Sequence, residues 1–241
     1  MRWTLAIGLS LALLPAHARS ETISTLPDWN GSQSLLGFGE TNTATFGQTI
    51  TVGAETRLQS FSFRIRTENL FGPHPSRFGG HVMQWDETLD RAVGPVLYDS
   101  GLLVLPFNDD GVYQAVTINP GIALTSGNQY VLFLSTSTYQ DSTLDQTRWG
   151  LVRNVDAYSG GKSVYLNNGT DTSAWTSGPW DSGFTAPGSD FAFTATLTPV
   201  PEPSSITLML GAATICGLCY GVRYTLSQRA MSIIAERNEL T

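Results

Sequence analysis

The chain contains very little cysteine, lysine and histidine for its length. Of its 241 residues, only Cys216 and Cys219 are cysteines, and Lys162 is the single lysine. Both cysteines lie in an apolar stretch near the C-terminus, so the chain before them can form no disulfide, and no histidine stands beside them to complete a zinc site. With 13 basic and 20 acidic residues the net charge is −7, and without a basic patch nucleic acid is excluded as an expected partner.

The first 18 residues have the pattern of a secretory signal peptide. Arg2 precedes a compact apolar run, and Ala16-His17-Ala18 forms an A-x-A cleavage site. The apolar run is too short to span a membrane. We therefore expect residues 1–18 to be removed and the mature chain to be exported from the cytoplasm.

Residues 19–198 show the alternation of β-strands and no convincing helical period. Phe61, Phe63 and Ile65 alternate with polar residues, and the same period of two recurs at residues 46–52, 81–85, 112–118, 130–134 and 191–197. Turn signals such as Asn30-Gly31 and Asp110-Gly111 separate these runs. Residues 173–189 are rich in glycine, proline and serine, which indicates a long loop. The pattern predicts an all-β, antiparallel β-sandwich with jelly-roll-like topology and roughly nine or ten strands.

The C-terminal part combines a proline-rich motif, an apolar run and a positive charge. Pro201 and Pro203 flank Glu202 and favour an extended, solvated segment over residues 199–205. Residues 206–222 carry no formal charge and are just long enough to span a hydrocarbon core, and Arg223 follows them. This order predicts a single C-terminal transmembrane helix over residues 206–222 and a cytoplasmic tail over residues 223–241.

The order of Val-Pro-Glu-Pro-Ser-Ser, apolar helix and arginine resembles the PEP-CTERM sorting signal of Gram-negative bacteria. The resemblance implies export, transient anchoring in the inner membrane, and cleavage near the motif by an exosortase-type membrane protease. It gives Pro201, Glu202, Pro203 and Arg223 a role in recognition and none in catalysis. The family usually ends soon after a tight arginine cluster, whereas here the arginines are spread through a longer tail. Residues 46–197 are also similar to ectodomains of PEP-CTERM surface proteins, which implies a jelly-roll-like domain.

Aromatic residues cluster in the second half of the predicted β-domain. Carbohydrate binding needs flat rings that stack on sugar C–H faces and short polar side chains that bond the hydroxyls. Trp149, Tyr165, Trp175 and Trp180 are therefore candidate glycan-binding residues, interleaved with asparagine and aspartate. The alternative is that Trp149 and Tyr165 fill the core while Trp175 and Trp180 hold the long loop in place.

Three further patterns bear on phosphate binding or catalysis. Gly160-Gly161-Lys162-Ser163 resembles the end of a phosphate-binding loop, but the first glycine is missing and a strand follows. His74 and His81 have no nucleophile elbow to serve, so no catalytic residue is assigned. The many aspartates leave open a carboxylate pair such as a glycosidase uses.

Calcium is the one ion for which suitable ligands occur. Oxygen-rich stretches lie at Asn108-Asp109-Asp110 and at Asn167-Asn168 with Asp171, but neither has the spacing of a calcium-binding loop. No metal ligand is assigned, and a structural calcium stays open.

The sequence thus predicts an exported, non-catalytic protein of the cell envelope or extracellular matrix, either structural or glycan-binding. The exosortase-type protease, the membrane and extracellular polysaccharide are its expected partners. The alternative is a polysaccharide hydrolase or lyase on the same fold.

Overall fold

The computed structural model describes residues 20–40, 42–182 and 189–200. The chain divides into two compact units at Pro199, and of the second unit only Val200 is among the described residues. The predicted signal peptide, the motif Pro201-Glu202-Pro203, the helix over residues 206–222 and the tail from Arg223 lie outside them. Within the part that is described, no helix is long and apolar enough to cross a bilayer.

The described part of the chain is built from short strands. They are β1 (Glu21–Ser24), β2 (Ser34–Phe38), β3 (Thr45–Thr51), β4 (Arg57–Thr67), β5 (Ser76–Asp86), β6 (Arg91–Leu105), β7 (Gln114–Ile118), β8 (Ile122–Ala123), β9 (Gln129–Ser135), β10 (Thr147–Val152), β11 (Ser163–Leu166), β12 (Asp190–Phe191) and β13 (Phe193–Thr198). A 3₁₀ turn (Leu26–Asp28) and a one-turn helix α1 (Ala174–Ser177) complete them. The prediction of an all-β domain is confirmed. The predicted strand number was too low partly because β8 and β12 have only two residues each.

The strands form two antiparallel sheets. The front sheet has the order β1-β13-β4-β10-β12, with β2 beside β10 and with β7 and β8 beside β4. The back sheet has the order β11-β3-β9-β5-β6. Strands that follow one another along the chain often lie in different sheets, so connections such as β3 to β4 and β4 to β5 cross between them. The predicted antiparallel β-sandwich is therefore present.

The space between the sheets is filled mainly by aromatic and aliphatic side chains. On β4, Phe61, Phe63 and Ile65 are at most 1% exposed, while the polar residues between them are half-buried. The Trp149 ring lies 4.7 Å from the Phe63 ring and 5.1 Å from the Phe38 ring, measured between centroids. The period of two in the sequence thus marks the residues that form this core.

A second apolar cluster covers the opposite face of the back sheet. On β9, Leu132 points into the core between the sheets, whereas Val131 and Phe133 belong to the second cluster. Residues 167–182, here called the strap, run across this outer face and place Trp175 and Trp180 against Phe133, with ring centroids 5.1 and 5.3 Å away. Both faces of the back sheet are therefore buried along β9.

The register of the strands defines two ends of the sandwich. At the upper end, Thr45 pairs with Ser135 and with Leu166, and Thr67 pairs with Thr147. The loops after β4, β6, β9 and β11 therefore lie there. At the lower end, the turns after β3, β5 and β8 come together. Strand β13 also ends at the lower end, where Thr198 pairs with Arg57.

Candidate functional site

An open cleft of about 460 Å³ lies at the upper end of the sandwich. It is called the upper cleft and is lined by Leu36, Gly37, Asn42, Thr43, Gln146 and Asn167. Strand β2 pairs with β10, which brings the β2 residues beside Gln146 at the start of β10. Strand β11 pairs with β3, which brings Asn167 beside the turn that leads into β3. The fold thus assembles the cleft from segments that are distant in sequence.

The polar groups of the upper cleft are free to bind a ligand. The side chains of Asn42, Thr43, Gln146 and Asn167 form no hydrogen bond with any residue that the structure describes. Gln146 and Thr43 are only 4% and 8% exposed. Their polar atoms are not among the buried side-chain atoms that lack a partner, so they reach the open cleft, where a ligand or water can bind them. Together they supply three carboxamides and a hydroxyl, all without formal charge.

The β2–β3 turn is built around glycine. Gly39 has φ +148°, and a Cβ atom at this position would lie 2.3 Å from the backbone oxygen of Asp145. The Gly39 amide donates to the Thr43 carbonyl at 3.2 Å, and the Thr43 amide donates to the Gly37 carbonyl at 2.8 Å. The missing side chain lets the turn pack directly on the backbone next to Gln146, which closes one wall of the cleft.

Asn168 holds the loop that carries Asn167. Its Oδ1 accepts a hydrogen bond from Thr45 Oγ1 at 2.9 Å, and its Nδ2 donates to Ser137 Oγ at 2.8 Å. Ser135 Oγ lies 2.7 Å from Thr45 Oγ1 and donates to Ser137 Oγ at 2.9 Å. Because Thr45 and Ser135 belong to β3 and β9, this network ties the start of the strap to the back sheet. Asn167 is thereby kept at the edge of the cleft.

Carboxylates near the upper end hold loops in place and do not line the cleft. Glu40 accepts hydrogen bonds from the backbone amides of Asp141 and Ser142 at 2.6 and 3.0 Å. Asp145 accepts one from the Glu40 amide at 3.1 Å. Burial raises the pKa of both Glu40 and Asp145. Glu68 accepts a hydrogen bond from Arg148 Nε at 2.7 Å. The residues that line the upper cleft are uncharged.

The four candidate aromatic residues lie away from the upper cleft. Trp149 is fully buried between the sheets, and Trp175 and Trp180 are 5% and 3% exposed beneath the strap. Tyr165 is half-buried, with its ring 6.4 Å from that of Phe46. The expected exposed platform for a sugar is not formed, because these rings cover the two faces of the back sheet. Their positions match the alternative, in which they serve the core and anchor the loop.

The oxygen-rich stretches considered for calcium are used in turns. Asp110 Oδ1 accepts a hydrogen bond from the Val112 amide at 2.7 Å. Asp171 Oδ1 accepts hydrogen bonds from the Ser173 amide and hydroxyl at 2.9 and 2.6 Å. Among the residues that the structure describes, no group of three or more His, Cys, Asp or Glu is placed to hold a metal ion.

Gly161, Lys162 and His81 make contacts within the domain that account for their positions. Gly161 packs against the backbone of Thr49, and the chain then enters β11, as predicted. Lys162 Nζ forms ion pairs with Glu87 at 2.7 Å and with Asp90 at 2.6 Å. His81 is buried on β5, next to Phe133.

Comparisons with known proteins give distant matches only. No family model matches the chain, and no curated protein matches it. One similar solved structure is a clostridial cysteine protease, Cwp84 after propeptide cleavage, at 10% identity and TM-score 0.47 over 75% of this chain and 40% of that chain. Another contains the cysteine protease and lectin-like domains of Cwp84, a surface layer associated protein of Clostridium difficile, at 13% identity and TM-score 0.38 over 70% and 37%. The chain spans about two fifths of either structure, and likenesses this distant carry no functional argument.

Proposed function

We propose that this protein is an exported, non-catalytic component of the cell envelope or extracellular matrix that binds neutral polysaccharide in the upper cleft. The main support for this proposal is the lining of the cleft. Its three carboxamides and one hydroxyl form no hydrogen bond with the residues that the structure describes. A carboxamide has a donor and an acceptor side by side, which suits neighbouring sugar hydroxyls. Leu36 adds an apolar contact for a C–H face.

Charge favours neutral polymers over acidic ones. The lining residues of the cleft carry no formal charge, and the chain as a whole has a net charge of −7. An acidic polysaccharide would approach against this field and would find no arginine or lysine in the cleft lining. Neutral hydroxyls need only the hydrogen-bonding groups that are already there.

The alternative, a polysaccharide hydrolase or lyase, is less well supported by the upper cleft. Glycoside hydrolysis ordinarily uses two carboxyl groups, one as acid and one as base or nucleophile. The upper cleft presents amides and a hydroxyl, which bind hydroxyl groups but do not ionise near neutral pH and so supply neither a general acid nor a general base. Binding without cleavage is the function that this set of groups performs.

The sorting and processing of the protein are proposed from the sequence motif near its C-terminus. Pro201, Glu202 and Pro203, followed by an apolar run and Arg223, support sorting through a PEP-CTERM signal by an exosortase-type protease. Mass spectrometry of the protein from cells with and without the protease tests this. A chain that keeps Thr241 in cells carrying the protease contradicts processing. The crossings of the chain between the two sheets support a jelly-roll-like topology for the domain.

Binding is tested by electrophoresis of the full chain, in a mild detergent, through gels containing dextran, galactomannan or β-glucan. Gln146→Leu and Asn167→Ala each remove a carboxamide from the cleft. Each is expected to weaken retention by about threefold to tenfold, since a neutral hydrogen bond contributes roughly 0.5–1.5 kcal/mol. Asn119→Ala, in an exposed turn outside the cleft, is the matched control. Retention by none of these polymers, or retention unchanged in both variants, contradicts the proposal.

A further inference from the structure

A second open cleft, of about 290 Å³, lies at the opposite, lower end of the sandwich, along the edge of the back sheet. We call it the lower cleft. Gln84 near the end of β5 and Gln129 at the start of β9 contribute to it, together with Asn128 in the turn before β9. Trp85, Asp86 and Glu87 form its other side. Because Gln84 pairs with Tyr130, β5 and β9 end side by side at this edge, with the Gln84 and Gln129 side chains on opposite faces of the sheet and Asn128 in the turn between β8 and β9.

The lower cleft presents carboxamides, as the upper cleft does, and in addition the carboxylates of Asp86 and Glu87. The side chains of Gln84 and Asn128 form no hydrogen bond with the residues that the structure describes. Gln129 Nε2 donates to Thr51 Oγ1 at 3.3 Å, which leaves its carbonyl oxygen as an acceptor. Glu87 is held in place by Trp85 Nε1 at 2.9 Å and by Lys162 Nζ at 2.7 Å. Asp86 is held by the Thr88 amide and hydroxyl at 2.9 and 2.6 Å. Carboxamides together with two fixed carboxylates present donors and acceptors to sugar hydroxyls.

The two clefts are too far apart to hold one short sugar segment. Strand β9 runs from Gln129 at the lower cleft to Ser135 near the upper cleft, and its seven residues span roughly 20 Å. The clefts open at opposite ends of the sandwich. One domain therefore has the geometry to hold two separate polymer segments.

We propose that the lower cleft is a second site for neutral polysaccharide and that each domain cross-links two polymer chains. This inference rests on the proposed function of the upper cleft. Among the described residues that line the two clefts there is no exposed aromatic ring, so each site is expected to bind weakly by itself. Linked sites gain avidity because the second binding event is intramolecular. Two weak sites on one rigid domain are suited to holding a polymer network together.

The test uses the full chain in a mild detergent with beads coated in dextran, galactomannan or β-glucan. Two quantities are measured: the protein bound per bead, and bead aggregation by turbidity. The wild-type chain is expected to bind and to aggregate at least one kind of bead. The double variant Gln84→Ala with Asn128→Ala is expected to remain bound to beads and to lose aggregation. The upper-cleft variant Gln146→Leu with Asn167→Ala is expected to do the same, and Asn119→Ala is expected to behave as wild type.

The outcomes separate this proposal from the one on which it rests. Beads that bind the wild-type chain without aggregating overturn cross-linking and leave binding in the upper cleft intact. Aggregation that is unchanged by the lower-cleft substitutions also overturns it, because bridging would then come from association between chains. A wild-type chain that binds no bead overturns both proposals. Equal far-UV circular dichroism spectra for all variants confirm that the fold is retained in each comparison.

Discussion

His81 makes the stability of the fold sensitive to acid. Its ring lies between those of Phe133 and Trp175, with centroids 5.0 and 4.9 Å away, and it is 2% exposed. Neither ring nitrogen has a hydrogen-bond partner among the described residues. Asp99 Oδ1, 3.7 Å from Nδ1, favours the protonated form, but burial is the larger effect and lowers the pKa of His81 to about 4.

The size and sign of the effect follow from the two pKa values. In the unfolded chain the pKa of histidine is about 6.5, so the difference from the folded value of about 4 corresponds to roughly 3 kcal/mol. The unfolded chain takes up the proton at the higher pH. The free energy of unfolding therefore falls as the pH is lowered from about 6.5 to about 4, and this contribution is constant outside that window.

The perturbation is His81→Leu, which removes the titrating group and both unpaired nitrogens. At neutral pH the variant is expected to be at least as stable as wild type, because an unpaired buried polar atom costs about 1–3 kcal/mol. Its advantage is expected to grow by roughly 3 kcal/mol between neutral pH and about pH 4.

Urea unfolding of the full chain, followed by tryptophan fluorescence at several pH values, measures this difference. His74→Leu, which removes an imidazole from the loop between β4 and β5, is the matched control for loss of a histidine. An advantage of His81→Leu that stays the same across the pH range would refute the reasoning. So would a variant that becomes less stable than wild type in acid.

Two further predictions concern buried side chains. Burial raises the pKa of Asp190 to about 6, so its folded pKa lies above its unfolded value and its contribution to stability is lost as the pH rises from about 4 to about 6. Asp190→Asn should therefore gain stability relative to wild type over that range, by up to roughly 3 kcal/mol, in the same urea experiment. Trp180→Ala should lower the free energy of unfolding by about 3–5 kcal/mol, because the ring packs on Trp85 and Phe133. The retention of each folded Trp180→Ala molecule by polysaccharide should equal that of wild type. A loss of retention without a matching loss of folded protein would show that Trp180 binds the polysaccharide.

The fold could be predicted where one strand face carried a regular pattern. The alternation of Phe61, Phe63 and Ile65 marked the inward face of β4 because the outward face is only half-buried. Residues 130–134 were also predicted as a strand. Their unbroken apolar character indicates burial on both faces, since Leu132 faces the core and Phe133 faces the strap. What covers the second face could not be predicted, because the strap has no apolar period of its own.

The upper cleft could not be predicted from the sequence. Asn42 and Gln146 are far apart in the chain, and asparagine is common in turns where it bonds its own backbone. Asn30 is an example, since its Oδ1 accepts hydrogen bonds from the Ser32 and Gln33 amides at 3.0 and 2.8 Å. Only the folded arrangement distinguishes such a carboxamide from Asn42, whose side chain forms no such bond with the residues that the structure describes. The sequence places Asn167 among the oxygen-rich residues considered for calcium, and nothing in it indicates which residues join Asn167 in the cleft.

The shortage of cysteine explains why the tryptophans are buried and the carboxamides line the clefts. A domain of this size without disulfides must gain its stability from apolar burial, and large aromatic rings bury the most surface per residue. Trp149 fills the space between the sheets, while Trp175 and Trp180 fasten the strap to the back sheet. These rings are used by the core, so little aromatic surface is left for sugar stacking. Carboxamides at the two ends of the sandwich, joined by two carboxylates at the lower end, are then the groups available for binding, which is why weak, paired sites are the arrangement we expect.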